Sequence, residues 1–446
     1  MVRSIILAAG RGTRMNSQLP KVLHKLAGKP LVQYSIDTLK KTHLERPVLV
    51  VGYQAEQIQK VVGDQVEYAH QEQQLGTAHA VSCAESLLKE KADLILILSA
   101  DMPLLSRDLL SDLIACHSEN MSPVSFATTV NANSRGFGRI LRDKNGAVLA
   151  IIEEAQASEE QLGIQEVNVG VYCVKAEWLW KSLARIKKSP KGEYYLTDII
   201  QLASEEGHQI PSVSPSDPSE AMGINTRVHL AEAEAILRKR INESWMLAGV
   251  TIPDPATTYI GLDVRLEPDS IILPNTHLVG KTTIGAGSVV GPNSVITDSI
   301  IGENCTVTAS FLEEAVLEEG VVMGPFCHLR AGAHLGRDVH MGNFGEVKQS
   351  TLGPGTKMGH FSYIGDAQIG KAVNISAGVI TCNFDGKQKH STQIGDDAFI
   401  GSDTMLVAPV KIGNRAHSGA GSVITKDVPD DTLVVGVPAH ELKKLK

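Results

Sequence analysis

The second half of the chain carries a hydrophobic pattern with a period of six. From about Ile284 onward, apolar residues followed mostly by small ones recur at Met323-Gly324, Leu329-Arg330, Leu335-Gly336 and Met341-Gly342. The rhythm resumes at Leu352-Gly353, Met358-Gly359 and Ile364-Gly365, then at Ile394-Gly395, Ile400-Gly401, Leu406 and Ile412-Gly413. Six is neither the helical period nor the two-residue alternation of a simple strand. It predicts a parallel β-helix of hexapeptides, with three short faces to a coil and about 18 residues per turn. Each apolar residue then points into a prism, and the small residue after it lets the backbone turn the corner. Chemistry on such a solenoid must sit on its outer faces or at a subunit boundary.

The first half has a different pattern. Continuous apolar runs at Ser4–Ala9, Pro47–Gly52 and Asp93–Leu98 predict buried strands, and helical spacing lies between them, as from Gly76 to about Glu90. Alternating strands and helices predict a parallel α/β sheet with ligands at the carboxyl ends of the strands. Arg227–Trp245 places Leu230, Ala233, Leu237 and Ile241 on one helical stripe, and Pro253 and Pro255 follow it. The expected organisation is a first domain over 1–225, a linking helix over 226–248 and the β-helix over 249–446. Asn383–Ser391 interrupts the six-residue rhythm as a polar insert, the kind of loop a solenoid ejects onto a binding face. The tail Lys443-Lys444-Leu445-Lys446 reads as a solvated end.

Composition narrows the function classes. The 446 residues exceed one hydrophobic core, and the 43% hydrophobic content is ordinary for a globular chain. Aromatics are only 4% and glycines number 40, which suits thin coils. A net charge of −8 argues against general nucleic-acid binding, so anionic ligands must be met by local cations. The six cysteines are scattered without metal-site spacing, which predicts a reduced, cytoplasmic setting. No apolar run reaches membrane-spanning length.

Two motifs carry chemistry. The first strand runs into Leu7-Ala8-Ala9-Gly10-Arg11-Gly12-Thr13-Arg14-Met15, with Pro20-Lys21 downstream. Such a Gly-rich turn exposes backbone N–H groups able to cradle phosphates, and Arg14 and Lys21 add charge beside it. It is neither a Rossmann fingerprint, because Met15 stands at the third glycine position, nor a P-loop. On the β-helix, Arg330 and Lys348 lie one coil apart, so two like charges stack unless an anion sits with them. His360, two residues past an inward position, should face outward, and a neutral imidazole is a natural base toward an amine.

The Leu7–Met15 motif with Pro20-Lys21 resembles the signature of the sugar-nucleotide pyrophosphorylases. Joined to a hexapeptide β-helix, the chain resembles over nearly its whole length the family of bifunctional N-acetylglucosamine-1-phosphate uridyltransferases and glucosamine-1-phosphate acetyltransferases. That resemblance implies an α/β Rossmann-like nucleotidyltransferase domain, a linker helix and a left-handed parallel β-helix. It further implies a cytoplasmic homotrimer acting on small molecules, with UTP and acetyl-CoA as co-substrates and Mg²⁺ as cofactor.

Carried over residue by residue, Leu7, Ala8, Ala9, Gly10 and Lys21 would contact the nucleotide, with Arg14 and Lys21 as the catalytic cations. Gln71, Gly76 and Thr77 would read the uracil, and Gly138, Glu153 and Asn168 would contact the sugar. Asp101 and Asn225 would hold the metal. In the β-helix, His360 would be the base, and Arg330, Lys348, Tyr363, Asn374 and Lys389 would bind glucosamine 1-phosphate. Ala377, Asn383, Phe384, Ser402 and Ala420 would form the acetyl-CoA site. The chain departs from the family pattern at Ser99-Ala100-Asp101, where Tyr-Gly-Asp is usual, at Phe384, where Tyr is usual, and near Gly436, where an Arg is missing. A weaker hold on acetyl-CoA is expected. The competing expectation is a nucleotidyltransferase acting alone, with a β-helix that serves only oligomerisation.

Overall fold

The structure is a computed structural model and describes residues 1–131 and 136–445. The chain divides into two compact units, Met1–Leu237 and Arg238–Lys446. The division falls inside the helix Arg227–Leu247.

In the first unit, Val2–Leu7 pairs in parallel with both Leu94–Ser99 and Val48–Val51, and Val48–Val51 pairs in parallel with Glu67–His70. Glu166–Lys175 lies antiparallel between Leu94–Ser99 and Val124–Val130. These strands are apolar on both sides because both faces of the sheet are covered. Ile5 and Ile97 face one core with Val174 and Leu179, and Ile6 and Leu98 face another with Ile36 and Leu110. The first strand ends at Leu7, two residues before the end of its apolar run. Ala8 and Ala9 are therefore buried loop residues. The expected helix from Gly76 is two pieces, Thr77–Ser82 and Glu85–Leu88. Ala84, at φ −90° and ψ −5°, breaks the helical run between them.

The second unit is a left-handed parallel β-helix of hexapeptide repeats. Its first face runs from Tyr259–Ile260 to Val423–Ile424, its second from Arg265–Leu266 to Val410–Ile412, and its third from Ile271–Ile272 onward. The six-residue ladder begins earlier than Ile284, at Ile260, Leu266, Ile272 and Leu278, all buried. In these early coils the residues after Leu266, Ile272 and Leu278 are Glu267, Leu273 and Val279 in place of the small residues that mark the later ones, which hides the rhythm in the sequence. Coil length varies. Tyr259 pairs with His277, Val295 with Phe311 and Ile380 with Met405, the last because the Asn383–Ser391 insert leaves the coil.

The tail is not a loose end. Ala439–Lys444 pairs antiparallel with Thr432–Gly436 and closes the third face. The alternating backbone hydrogen bonds of that pairing hold Lys443 and Lys444, whose charges stay exposed. Lys446 lies outside the described residues.

Each coil sends only three residues inward, one from each face, with little room to repack around a void. Leu329→Ala should destabilise the second unit by about 3 kcal/mol. It should lower that unit's midpoint in chemical denaturation and leave the first unit's midpoint in place.

Candidate active sites

Parallel pairing puts the carboxyl ends of Val2–Leu7, Val48–Val51, Glu67–His70 and Leu94–Ser99 on one edge of the sheet. The loops leaving Val2–Leu7, Glu67–His70 and Leu94–Ser99 wall a cavity of about 630 Å³. Leu7, Ala8, Ala9, Gly10, Arg14, Lys21, Gln71, Gly76, Thr77, Asp101, Glu153, Asn168 and Asn225 all line it. Gly138 does not; its carbonyl accepts from the Asn168 N–H at 2.9 Å and so fixes a residue that does.

The centre of this cavity is a knot of charge. Lys21 Nζ donates to Asp101 Oδ2 and, at 3.2 Å, to Asn225 Oδ1. Arg14 Nη2 donates to the same Asn225 oxygen at 2.9 Å. The two oxygen-bearing segments are tied together by the Ile224 N–H, which donates to the Asp101 carbonyl at 2.8 Å. Burial works to raise the Asp101 carboxyl, but the Lys21 charge and hydrogen bonds from Lys21 and Ser99 outweigh it and hold the group below its ordinary value. An ammonium resting on one carboxylate and one amide oxygen occupies the place of a cation. Hard oxygen donors of this kind fit a divalent ion whose remaining ligands come from phosphates. Among the described residues no cluster of three or more His, Cys, Asp or Glu could hold a metal alone.

At one end of the cavity the Gln71–Thr77 loop is fastened to Tyr194–Leu196. Tyr194 donates to Leu75 O at 2.7 Å, and Thr77 Oγ1 accepts from Leu196 N at 2.9 Å. Gly76 has φ of 106°, and a Cβ there would lie 2.7 Å from Tyr194 N, so the close approach needs glycine. On the far wall, Thr197 Oγ1 donates to Glu153 at 2.9 Å, and Asn168 Nδ2 donates to Tyr172 Oη at 2.7 Å. Burial raises the Glu153 carboxyl, only partly offset by Thr197, and the nearby Glu193 charge adds to the rise.

Sequence reasoning missed Arg11, Thr197 and Tyr172. Arg11 lines the cavity with its guanidinium over the Tyr53 ring, 5.3 Å from the centroid. Its place inside the Gly-rich loop could have marked it. Thr197 and Tyr172 come from segments with no motif of their own.

On the β-helix the predicted residues form two columns at opposite edges of the first face. One edge holds Arg330 over Lys348, as the register of Leu329 with Val347 requires. Arg330 is paired with Glu346 at 3.1 Å, so its charge is partly met by the protein. Lys348 is held below its ordinary value by a hydrogen bond and repulsion from Lys389, and by the Arg330 charge. Lys348 sits in register with Gly365, over which the Tyr363 hydroxyl and the Asn383 amide crowd. Asn383 is fixed by Asp366, and Lys389 is brought in by the insert through its bridge to Phe384.

The other edge stacks Asn343, His360, Ala377, Ser402 and Ala420. Backbone bonds from Phe361 N to Asn343 O at 3.2 Å, Gly378 N to His360 O at 3.1 Å, Asp403 N to Ala377 O at 2.8 Å and Gly421 N to Ser402 O at 2.8 Å set this column. His360 is exposed, and its Nδ1 donates to Asn343 Oδ1, which leaves Nε2 as the basic nitrogen. Asn343 was not anticipated, although it lies one coil before His360 in a matching Gly-Asn-Phe and Gly-His-Phe pair. Asn374 lies round the corner on the third face, beside Ser376. Phe384 is 61% exposed on the insert. Next to the His360 column, Phe326, Phe344 and Phe361 stack with centroids 5.5 and 5.0 Å apart, all exposed and all at positive φ. Bulky side chains rarely adopt that backbone conformation, so the ladder marks a constrained surface.

Comparison with known proteins agrees with the geometry. A family model described as "Nucleotidyl transferase" matches residues 3–217, and one described as "Bacterial transferase hexapeptide (six repeats)" matches residues 263–298 and 391–426. The protein named "Bifunctional protein GlmU" of Brevibacillus brevis is 43% identical over 97% of this chain and 94% of its own length. Proteins of the same name from Exiguobacterium sp. and Heliobacterium modesticaldum are 45% and 44% identical, over 97% and 99% of this chain and 96% of each of their own lengths. The chain belongs to the family of bifunctional GlmU proteins.

Proposed function

We propose that the Lys21–Asp101–Asn225–Arg14 knot is the centre of uridylyl transfer and the His360 column the centre of acetyl transfer. The chain makes UDP-N-acetylglucosamine by two reactions. Acetyl passes from acetyl-CoA to the amine of glucosamine 1-phosphate. Uridylyl then passes from UTP to N-acetylglucosamine 1-phosphate, with release of pyrophosphate. The observation that carries the site assignment is the knot itself, a cation held by two oxygens where the phosphate-cradling loop meets the carboxyl end of a strand.

In uridylyl transfer, a phosphate oxygen of the sugar phosphate attacks the α-phosphorus of UTP as the bond to the bridging β oxygen breaks. The demand is for position and charge neutralisation rather than for a protein nucleophile. Lys21 and Arg14 would turn from Asn225 and Asp101 toward the phosphates. Asp101 and Asn225 would then hold Mg²⁺, which supplies charge neutralisation when bound. Gln71, Gly76 and Thr77 would face the uracil, and Glu153 and Asn168 the sugar, beside Gly138.

In acetyl transfer, His360 Nε2 would take a proton from the sugar ammonium. The freed amine attacks the thioester carbonyl, and CoA leaves as the thiol. Arg330, Lys348, Tyr363 and Lys389 would meet the sugar phosphate. Ala377, Ser402 and Ala420 would line the acetyl-CoA groove, with Asn374 and Asn383 orienting the reacting groups and Phe384 at its edge. The two columns stand at opposite edges of one face, and an exposed aromatic ladder flanks one of them. Both features support a homotrimer in which the edge of one β-helix faces the next. A cytoplasmic location is consistent with the six free cysteines and with the absence, among the described residues, of any helix long and apolar enough to cross a membrane.

Asp101→Ala should lower uridylyl transfer by about a thousandfold or more and spare acetyl transfer. His360→Ala should lower sugar-dependent release of CoA thiol by two to four orders of magnitude, roughly, and spare uridylyl transfer. Joint loss of both activities in either variant would overturn the separation of the sites.

A pH signature belongs to the sugar end of the first cavity. Burial first, and then the Glu153 charge, push Asp198 up to about 6. An acid whose folded value is raised binds its proton more tightly when folded. Its contribution to stability is therefore full below the ordinary carboxylate value near 3.8 and is lost as pH rises through about 6. Carboxyl-carbon NMR should place the Asp198 midpoint near 6, and Glu153→Gln should move it down. A midpoint in the ordinary carboxylate range in the unmodified protein would refute the coupling.

A further inference from the structure

Gln71 is 3% exposed, lines the nucleotide cavity, and is held by one end of its amide. Its Nε2 lies 3.0 Å from the Gly76 carbonyl oxygen and 3.0 Å from His79 Nδ1. A carbonyl oxygen can only accept, so the amide atom facing it must be nitrogen. One amide hydrogen goes to Gly76. The other goes to His79, whose Nδ1 must then be the unprotonated ring nitrogen. Both donors of Gln71 are consumed, and no donor among the described residues reaches its Oε1. The side chain offers the cavity an acceptor and nothing else.

The anchors of this lock are rigid. Gly76 is pinned against the Tyr194 backbone, and Ala78 N donates to Tyr194 O at 3.0 Å. His79 sits on the helix Thr77–Ser82, which follows directly. With His79 absent, one buried amide hydrogen loses its partner, and turning Gln71 away becomes the favourable response.

We propose that His79 is a positioning residue that fixes Gln71 as a pure acceptor toward the nucleotide base, and so selects bases with an N3–H over cytosine. This rests on the reading above that Gln71 faces the base of UTP. Uracil and thymine both present N3–H as a donor at that edge. Cytosine presents a lone pair there, and a buried acceptor set against another acceptor is the kind of mismatch that discriminates strongly.

The test uses the full-length enzyme and the specificity constants kcat/KM for UTP, TTP and CTP in uridylyl transfer. His79→Phe keeps the bulk and removes the acceptor. It should lower the UTP:CTP ratio about tenfold, the worth of roughly one hydrogen bond, and leave the UTP:TTP ratio unchanged. His79→Asn, whose Oδ1 can replace Nδ1 as acceptor, should keep most of the UTP:CTP ratio. Gln71→Ala should lose it. Equal losses for all three nucleotides in His79→Phe would reveal a structural role only and overturn the proposal. A ratio retained in His79→Phe but lost in Gln71→Ala would overturn it while leaving the base-facing reading of Gln71 intact. A ratio retained in Gln71→Ala would sink that reading itself. Thermal unfolding of each variant separates misfolding from altered selectivity, and His79→Ala replaces His79→Phe if the latter does not fold.

Discussion

Parallel strand pairing is the constraint on which both halves of this molecule depend. In a parallel ladder, equivalent ends of neighbouring strands come to the same edge. In the first unit that gathers the loops after Leu7, His70 and Ser99 around one cavity, although they are up to about ninety residues apart in sequence. In the second unit the same pairing stacks equivalent corners of successive coils. Asn343, His360, Ala377, Ser402 and Ala420 become one column because each backbone bonds to the next coil. A functional group in either unit is thus specified twice, by its residue type and by its position relative to a strand end.

Charge supplies the second constraint. The chain is acidic overall, with 50 Asp and Glu against 42 Lys and Arg, yet both candidate sites concentrate cations. Most of these cations have a local partner. Lys21 rests on Asp101, Arg330 on Glu346, and Arg11 on the face of Tyr53. An isolated cation cluster would be costly. Paired in this way, the cations stay in place, and an arriving phosphate exchanges partners instead of creating a new charged contact. Lys348 and Lys389 are the exceptions among the described residues named at these sites, since each faces the other. Lys389 and Arg330 oppose the protonation of Lys348, and an anion beside all three would relieve that strain.

Much of this architecture was legible in the sequence. The inner ladder is legible because a solenoid must bury one residue in six, and the later coils mark each corner with a small residue. The early coils were missed because large residues such as Glu267, Leu273 and Val279 follow their inner positions, while those positions keep the same spacing. The strand ends were legible through continuous apolar runs, but Ala8 and Ala9 extended the first run past the true end. They are buried under the loop and not within the sheet. At the sites, Lys21 was marked by its motif and His360 by its outward position on a coil, whereas Asp101 came only from the family resemblance. Asn343, Thr197 and Tyr172 were not marked, because each acts through one hydrogen bond to a predicted residue, and such a partner has no sequence signal of its own. The tail was legible as solvated, but its backbone pairing was not, for a related reason. Charged Lys443 and Lys444 belong to an edge strand, where backbone pairing decides the structure and the side chains remain in water.

The division of labour between the units follows from how each excludes water and positions charge. A cavity roofed by loops can surround a nucleotide with backbone donors and still move, because loops carry few of the core contacts that hold the sheet. A β-helix cannot offer an interior, since its prism is filled by Leu329, Met341, Met358 and their neighbours. It can only offer edges, and an edge becomes a cleft when something stands opposite it. The Arg330–Lys348 column and the His360 column flank a single face with the strand Tyr363–Gly365 between them. The exposed Phe326–Phe344–Phe361 ladder runs beside the His360 column. At positive φ these phenylalanines hold a backbone conformation that bulky residues rarely adopt, and the stacking of their rings offsets part of its cost.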